Sequence, residues 1–290
     1  MSAFNHLLVA LDLTEIDDFL IEYANSFAKK LEIPKLTFMH VMQIYDLPDS
    51  VSSMFEELEK PLAEIIRDEV KEKVERVCDD DPKTEISWVV EEGDVAETIA
   101  NYANMHKVDL IVMGNKLGYD GDGISNGRVA RQVKSSLLFV PNTSQLEIKN
   151  ILTVIDFSNI SERAFRKSMM IKDKYEAGFF CQYLYNLPLD YFPNRPHEKF
   201  IKRMQNFGEK EFLKYLKRMN INDPDLTCEF TLDEDGNPAQ KIYKYAMKKN
   251  AGLIVIGEKG TSEKNKEMIG AISVKLKRME RNIPVMLVKG

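Results

Sequence analysis

The sequence predicts an α/β protein in which each half of the chain forms a doubly wound parallel sheet. Two observations support this prediction: short apolar runs alternate with amphipathic helical segments, and the same series occurs twice. Strands that alternate with helices connect through right-handed crossovers, which produces a parallel sheet covered by helices on both faces. The chain has 290 residues, and at about 100–200 residues per domain this length suits two domains.

An internal repeat relates the two halves. The aligned segments are 6–18 with 150–162, 36–42 with 179–185, 108–116 with 251–259, 126–133 with 269–276 and 136–141 with 283–288. The first alignment places Asp12 over Asp156, the first four have offsets of 143 or 144 residues, and all five occur in one order along the chain. Such a series predicts two copies of one domain. The polar segment 142–149 is typical of a linker, so we place domain 1 at 1–145 and domain 2 at 146–290.

The elements of the first copy follow from its hydrophobic patterning. Short apolar runs bounded by polar clusters are typical of strands that are buried on both faces. The predicted strands are 7–12, 36–41, 85–90, 110–113 and 137–140. Apolar residues at helical spacing predict amphipathic helices. The predicted helices are 16–31, 55–77, 94–105 and a last one that opens at 129–134. Asp94 is the predicted N-cap of the third helix, with Glu97 three residues on, in a pattern close to a capping box.

The predicted fold brings three separated segments together. Ligands of open parallel sheets bind beyond the carboxyl ends of the strands, at the point where the strand order reverses. Asp12, the segment after Val41 and a glycine-bearing loop over 114–127 each follow a predicted strand. The fold therefore predicts one crevice formed by these segments.

Composition and motifs exclude several classes of function. The formal net charge of −6 argues against a nucleic-acid partner, which would need a basic stripe to neutralise phosphates. No P-loop and no Ser/His/Asp or Cys/His arrangement is present, so we expect neither a conventional kinase nor a hydrolase. The scattered histidines suggest no metal site, and His40 at a strand end is expected to be packed and satisfied.

The location is expected to be cytoplasmic. The three cysteines lie in no metal-ligand spacing, and an odd count without a pattern fits a reducing compartment. The first residues lack the basic and apolar regions of a signal peptide. The apolar run 7–11 is too short to span a bilayer, so we expect no membrane insertion.

The motifs resemble the universal stress protein family in its tandem form, over essentially the whole chain. The resemblance rests on LVALD and ILTVID followed by Thr14 or Ser158, on the MHV strand end, and on DLIVMG and GLIVIG before a glycine loop. The ATP-binding branch of that family carries the loop G-x2-G-x9-G-S/T. The second copy matches all three glycines with Gly257, Gly260 and Gly270, and its final Ser/Thr is replaced by Ala271.

The first copy departs further from that loop. Gly114 and Gly127 match, but Leu117 takes the second glycine position, with Gly118 one step late, and Arg128 takes the Ser/Thr position. The missing hydroxyl in the second copy removes about 0.5–1.5 kcal/mol of hydrogen bonding, which weakens a site without abolishing it. A leucine side chain where backbone should approach a phosphate is the larger departure.

The resemblance implies a nucleotide site in each copy. The implied residues are Asp156, Leu184, Gly257, Gly260, Gly270, Ala271 and Ile272 in domain 2, and Asp12, Val41, Gly114, Gly127, Arg128 and Val129 in domain 1. The two aspartates would contact ribose or the triphosphate–metal region. Backbone atoms of Val41 and Leu184 would meet the adenine, and the amides of Val129 and Ile272 would lie near the anion, at the start of a helix.

Each of these assignments has a purely structural alternative. The glycines also suit a tight connection between strand and helix, and this alternative is stronger for Gly114 and Gly127 than for the second copy. Asp12 and Asp156 also suit helix capping or loop ordering. Arg128 either pairs with a phosphate or, as we favour, is solvated or held in a salt bridge.

The resemblance therefore implies a stress-response protein with Rossmann-like, adenine-nucleotide alpha-hydrolase-like domains. It would bind an adenine nucleotide, preferably ATP with Mg²⁺, mainly in the second domain, in a sensing or regulatory role without turnover. The last strands, 136–141 and 283–288, would pair within the chain as an internal pseudo-dimer, and the whole chain could form a homodimer. The alternatives are an interaction scaffold that binds no nucleotide, and a slow ATPase or small-ligand binder that uses the same crevice.

Overall fold

The computed structural model describes residues 3–43, 60–78, 82–115, 124–185, 198–233, 236–258 and 282–290. The chain divides into two compact units, Met1–Leu146 and Glu147–Gly290. Among the described helices, none has the combination of length and apolar character that crossing a bilayer requires.

The first unit is a parallel sheet with helices packed against it. Its strands are β1 (His6–Leu11), β2 (Lys35–Met42), β3 (Glu85–Glu92), β4 (Leu110–Asn115) and β5 (Ser136–Pro141). Its described helices are α1 (Ile16–Leu31), α2 (Leu62–Val77), α3 (Val95–Met105) and α4 (Ile124–Gln132). The strand order is β3-β2-β1-β4-β5, and all neighbouring pairs are parallel. The order reverses between β1 and β4, which places the crevice of this unit beyond the carboxyl ends of these two strands.

The second unit has the same topology. Its strands are β6 (Asn150–Ile155), β7 (Gly178–Tyr185), β8 (Cys228–Leu232), β9 (Leu253–Gly257) and β10 (Val285–Val288). Its described helices are α5 (Asn159–Tyr175), α6 (Glu198–Arg218) and α7 (Pro238–Lys248). The order β10-β9-β6-β7-β8, again with parallel pairs, reverses between β6 and β9. The predicted α/β class and parallel sheets are therefore confirmed in both units.

The cores lie where the patterning predicts them. All six residues of β5 are buried, as are all four of β10. Beside β6 and β7, an aromatic cluster that includes Phe165, Phe212 and Tyr215 fills the space between the sheet and helices α5 and α6. Burial of such side chains contributes about 1.5–3 kcal/mol each and is the main stabilisation of these layers.

Two boundaries at the predicted glycine loop of the first unit were wrong. β4 continues to Asn115, so Gly114 is a strand residue and not the first residue of a loop. Helix α4 begins at Ile124, so Gly127 lies inside the helix and not before it. A single helical glycine costs only about 1 kcal/mol relative to alanine. Burial of Val129 within α4 and of Val133 directly after its last residue offsets that cost.

Candidate functional site

Both units make the same unusual turn at the carboxyl end of their first strand. Leu13 follows Asp12 with a φ of 59°, and Phe157 follows Asp156 with a φ of 63°. A left-handed backbone costs a residue with a side chain roughly 1–2 kcal/mol, so neighbouring contacts must hold it in place. Both copies share this turn, and it sets the direction of the chain after each aspartate.

In the first unit, the buried carboxyl group of Asp17 holds this turn. Its Oδ1 accepts a hydrogen bond from the amide of Asp12 at 3.3 Å, and its Oδ2 accepts one from the amide of Leu13 at 2.8 Å. Asp17 is 2% exposed, and burial, followed by the charge of Asp12, raises its pKa to about 6. Asp12 is exposed, and its Oδ1 accepts a hydrogen bond from the Thr14 hydroxyl at 2.6 Å. Two carboxyl groups therefore lie at this turn.

In the second unit, a neutral hydroxyl takes the place of the Asp17 carboxyl. The amide of Asp156 donates to Ser161 Oγ at 3.2 Å, and that oxygen lies 3.0 Å from the hydroxyl of Tyr215. Asp156 Oδ1 accepts a hydrogen bond from the Ser158 amide at 3.0 Å. Its Oδ2 is buried and has no hydrogen-bond partner among the described residues. This turn therefore carries one carboxyl group, and that group keeps an open acceptor position.

Aromatic rings lie beside the turn of the second unit. Phe157 stacks on Tyr183, with ring centroids 4.8 Å apart and an angle of 22° between the planes. Both side chains are half-buried. The equivalent positions of the first unit hold Leu13 and His40. The second unit thus has an aromatic pair next to its aspartate, where the first unit has an aliphatic side chain and an imidazole.

The second strand of each sheet extends past the end of the first. β1 pairs with β2 up to His40, so Val41 lies one residue past the paired region. β6 pairs with β7 up to Tyr183, so Leu184 lies past it in the same way. These positions remain compatible with the adenine contacts that the resemblance implies. The half-buried ring of His40 has its Nδ1 3.0 Å from the carbonyl oxygen of Leu11, which agrees with the structural role predicted for it.

The two glycines that end β4 and β9 differ in what requires them. A Cβ on Gly114 would meet Leu20 at 3.8 Å and Ile16 at 3.9 Å, which are ordinary contacts. A Cβ on Gly257 would lie 2.9 Å from Ile160 Cγ2 and 3.3 Å from backbone atoms in the first turn of α5. Close packing of a helix on a strand therefore explains Gly257 without any ligand, whereas it does not explain Gly114.

Helix α4 changes the expected role of the loop end in the first unit. Gly127 and Val129 are the fourth and sixth residues of the helix, where amides donate to carbonyls four residues earlier. Val129 therefore lies inside the helix and not at its start, and the anion contact expected for its amide stays a prediction. A Cβ on Gly127 would meet no atom of the described residues within 4 Å, so nothing in this part of the structure requires a glycine here.

Arg128 is held by a salt bridge. Its Nη1 and Nη2 donate to the Oδ2 and Oδ1 of Asp94 at 2.8 and 3.0 Å. Asp94 also caps α3 by accepting a hydrogen bond from the Glu97 amide at 3.1 Å, as predicted. The hydrogen bond from the Glu97 amide and, to a smaller extent, the bonds from Arg128 hold the pKa of Asp94 below its usual value. The favoured structural alternative for Arg128 is therefore confirmed.

The rest of the glycine loops lies outside the described residues. These positions are Leu117 and Gly118 in the first unit, and Gly260, Gly270, Ala271 and Ile272 in the second. Within the part of the chain that is described, no group of three or more His, Cys, Asp or Glu residues is placed to hold a metal ion.

A model of the universal stress protein family matches the chain twice, at residues 3–140 and 147–289. The chain belongs to the universal stress protein family. The two matches cover both units, so the protein is a tandem universal stress protein, from a family linked to the stress response.

Known proteins agree with this membership. Universal stress protein YxiE of Bacillus subtilis strain 168 is 31% identical over 93 residues, which is 32% of this chain and 62% of that relative. A universal stress protein from Archaeoglobus fulgidus DSM 4304 has a TM-score of 0.64 at 17% identity, over 99% of this chain and 97% of that one. A protein of unknown function from Pseudomonas aeruginosa PAO1 has a TM-score of 0.64 at 13% identity, over 99% and 93%. At these identities the structural matches show the fold.

Sequence reasoning missed the residues that anchor the two turns of this tandem universal stress protein. Asp17 and Ser161 occupy the same position of the repeat, five residues after the aligned aspartates. The alignment did contain a signal for these residues. At this position of the repeat, close to the predicted site, an aspartate in the first copy aligns with a serine in the second. Tyr215 had no signal of this kind, since it reaches the turn from α6, 54 residues away along the chain.

Proposed function

We propose that this tandem universal stress protein binds an adenine nucleotide, ATP with Mg²⁺, in its second unit, and that it senses or regulates without turnover. The observation that supports this proposal is the change of turn anchor between the units. Asp17 adds a carboxyl group to the first site, whereas Ser161 keeps the second site free of that charge.

Electrostatics favour the second unit for a polyphosphate. Two unit charges 4 Å apart interact by about 1 kcal/mol in water and about 4 kcal/mol near a protein surface. With a pKa of about 6, Asp17 is mostly ionised at neutral pH, and its charge repels a bound triphosphate. Arg128, which takes the Ser/Thr position of the first motif, is already paired with Asp94, so it does not offset that repulsion.

The second site also offers suitable groups to the rest of the nucleotide. The carboxylate of Asp156, whose buried Oδ2 has no hydrogen-bond partner among the described residues, can accept a hydrogen bond from a ribose hydroxyl or serve as a hard oxygen ligand for Mg²⁺, which prefers such donors. The stacked rings of Phe157 and Tyr183 supply apolar surface for the base, and Leu184 lies past the end of strand pairing. The sequence adds further support, because the second loop retains all three glycines of the ATP-binding motif.

Equilibrium binding of a fluorescent ATP analogue in the presence of Mg²⁺ tests this proposal. Wild type is compared with Asp156→Asn, with its matched control Asp12→Asn, and with Gly260→Val. We expect Asp156→Asn to weaken binding about 10- to 100-fold, the loss of one charged hydrogen bond, and Asp12→Asn to leave it unchanged. Gly260→Val should also weaken binding. No binding by wild type at millimolar analogue would contradict the proposal.

A scaffold without a nucleotide is the second candidate, and two observations favour it. Close packing on Ile160 explains Gly257 without a ligand, and Arg128 is paired with Asp94. Failure of wild type to bind the analogue, together with a stable fold, would support the scaffold. For the slow-ATPase alternative, phosphate release that is unchanged in Asp156→Ala would argue against turnover by that carboxylate. Cytoplasmic location and a homodimer of the whole chain also remain proposals.

A further inference from the structure

Two cysteines lie side by side on neighbouring strands of the second unit. Cys181 of β7 and Cys228, the first residue of β8, are register partners in a parallel pair. Parallel neighbours are about 4.7–4.9 Å apart, and register partners point to the same face of the sheet. This spacing falls within the roughly 4.4–6.8 Å between Cα atoms that a disulfide requires. Cys228 also packs against the buried cluster that contains Cys181, so both side chains lie on the same face of the sheet.

The two thiols have different surroundings. Cys181 is 1% exposed and lies in the aromatic cluster with Phe165 and Phe212. Burial raises the pKa of the Cys181 thiol well above its usual value. Cys228 is partly exposed, and it lies on β8, the last strand at that edge of the sheet. An oxidant from solvent therefore reaches Cys228 first, and Cys181 lies next to the oxidised sulfur.

The fold does not need cysteines at these positions. The repeat aligns Cys181 with Phe38 of the first unit, and the register partner of Phe38 is Trp88. Two large aromatic side chains thus fill the equivalent place in the same topology. Packing of the sheet therefore does not explain why two cysteines occupy these positions.

We propose that Cys181 and Cys228 are a redox pair that forms a reversible disulfide between β7 and β8 in response to a hydroperoxide. The Cys228 thiolate attacks the peroxide, the O–O bond breaks, and Cys228 becomes a sulfenic acid while hydroxide leaves and is protonated. The sulfur of Cys181 then attacks the sulfenic sulfur. The S–S bond forms, the S–O bond breaks, and the departing hydroxide takes the Cys181 proton as water. Two thiols are oxidised by two electrons, and hydrogen peroxide is reduced to two waters.

Cys78 provides a clean background for the test. It is the third cysteine and lies in the other unit, after α2. The full chain carrying Cys78→Ser is titrated with hydrogen peroxide, unfolded, alkylated with a maleimide and analysed by intact mass. We expect a monomer that lacks the mass of two hydrogens and takes up no maleimide, and dithiothreitol should restore both sites. This result does not depend on whether the protein binds a nucleotide.

Cys228→Ser in the same background is the matched control, and its partly exposed position makes it compatible with folding. It should show no loss of hydrogen mass, and Cys181 should remain open to alkylation after unfolding. The proposal is overturned if peroxide adds oxygen to Cys228 while Cys181 keeps its thiol, or if the disulfides formed link separate chains.

Discussion

Asp17 and Ser161 occupy the same position of the repeat and hold the same left-handed turn, one with a buried carboxyl group and the other with a hydroxyl. Asp17 accepts hydrogen bonds from two amides of the turn, whereas Ser161 accepts one and contacts Tyr215. The backbone of the turn is thus maintained while its charge differs between the units. This difference in charge distinguishes two turns that have the same backbone conformation.

The raised pKa of Asp17 predicts a pH dependence of stability in the first unit. Its folded pKa is about 6 against an ordinary value of 3.8, so the folded state binds its proton more tightly than the unfolded state. The associated stabilisation is complete below pH 3.8 and is lost as the pH rises through about 6. Relative to wild type, Asp17→Ser should therefore gain stability between pH 4 and pH 7, by on the order of 3 kcal/mol.

Trp88 makes this measurement specific to the first unit. It is the one tryptophan of the chain and lies in β3, so its fluorescence during urea unfolding reports on that unit. A difference between wild type and Asp17→Ser that stays constant with pH would contradict the pKa assigned to Asp17.

The two strand-end glycines should respond differently to alanine. Gly257→Ala forces a Cβ to 2.9 Å from Ile160, and such overpacking typically costs about 1–3 kcal/mol. Gly114→Ala creates only ordinary contacts and should change stability by less than about 0.5 kcal/mol. Hydrogen exchange of β9 and β4 amides, followed by mass spectrometry, compares the two variants. Equal effects would contradict the close approach of α5 to Gly257.

Gly127→Ala is expected to stabilise the protein. The glycine lies within α4, and a Cβ there meets no atom of the described residues within 4 Å, so alanine should add roughly 0.5–1 kcal/mol of stability by its higher helix propensity. Trp88 fluorescence in urea measures the change. A loss of stability would show that the helix does not include this residue. Unchanged binding of the ATP analogue would agree with a site in the second unit.

Asp94 should matter more to stability than its partner. The carboxylate serves both the Glu97 amide and Arg128, whereas Arg128 is exposed and contributes one surface ion pair, a type of contact with a small effect. Asp94→Ala should therefore lower the unfolding midpoint of the first unit more than Arg128→Ala does. Neither should change nucleotide affinity. A larger effect of Arg128→Ala would mean that the capping bond is unimportant.

Hydrophobic periodicity predicted the parts of the fold that burial controls. Helix α1 has the predicted bounds, Ile16–Leu31, because its apolar residues recur at helical spacing up to a clear polar break. The N-cap Asp94 was also predicted, since its side chain and the apolar helix after it are local signals. Such features depend on near neighbours in sequence, which the sequence displays directly.

The candidate site was less predictable, because its details depend on contacts between distant segments. The start of α4 was misplaced because Gly127 suggested a loop, whereas the helix runs from Ile124 through this glycine to Gln132. An aspartate in the first turn of a helix ordinarily faces solvent and favours the helix dipole, so the buried position of Asp17 was unexpected. Gly114 and Gly257 look equivalent in sequence, and only the approach of Ile160 distinguishes them.

Photolabelling with an azido-ATP, followed by peptide mapping, tests the central claim that the second unit binds the nucleotide. We predict that labelled peptides fall within 147–290, that unlabelled ATP with Mg²⁺ protects them, and that Asp156→Asn reduces the labelling while Asp12→Asn does not. Labelling confined to 1–146, or labelling that ATP does not protect, would contradict the claim.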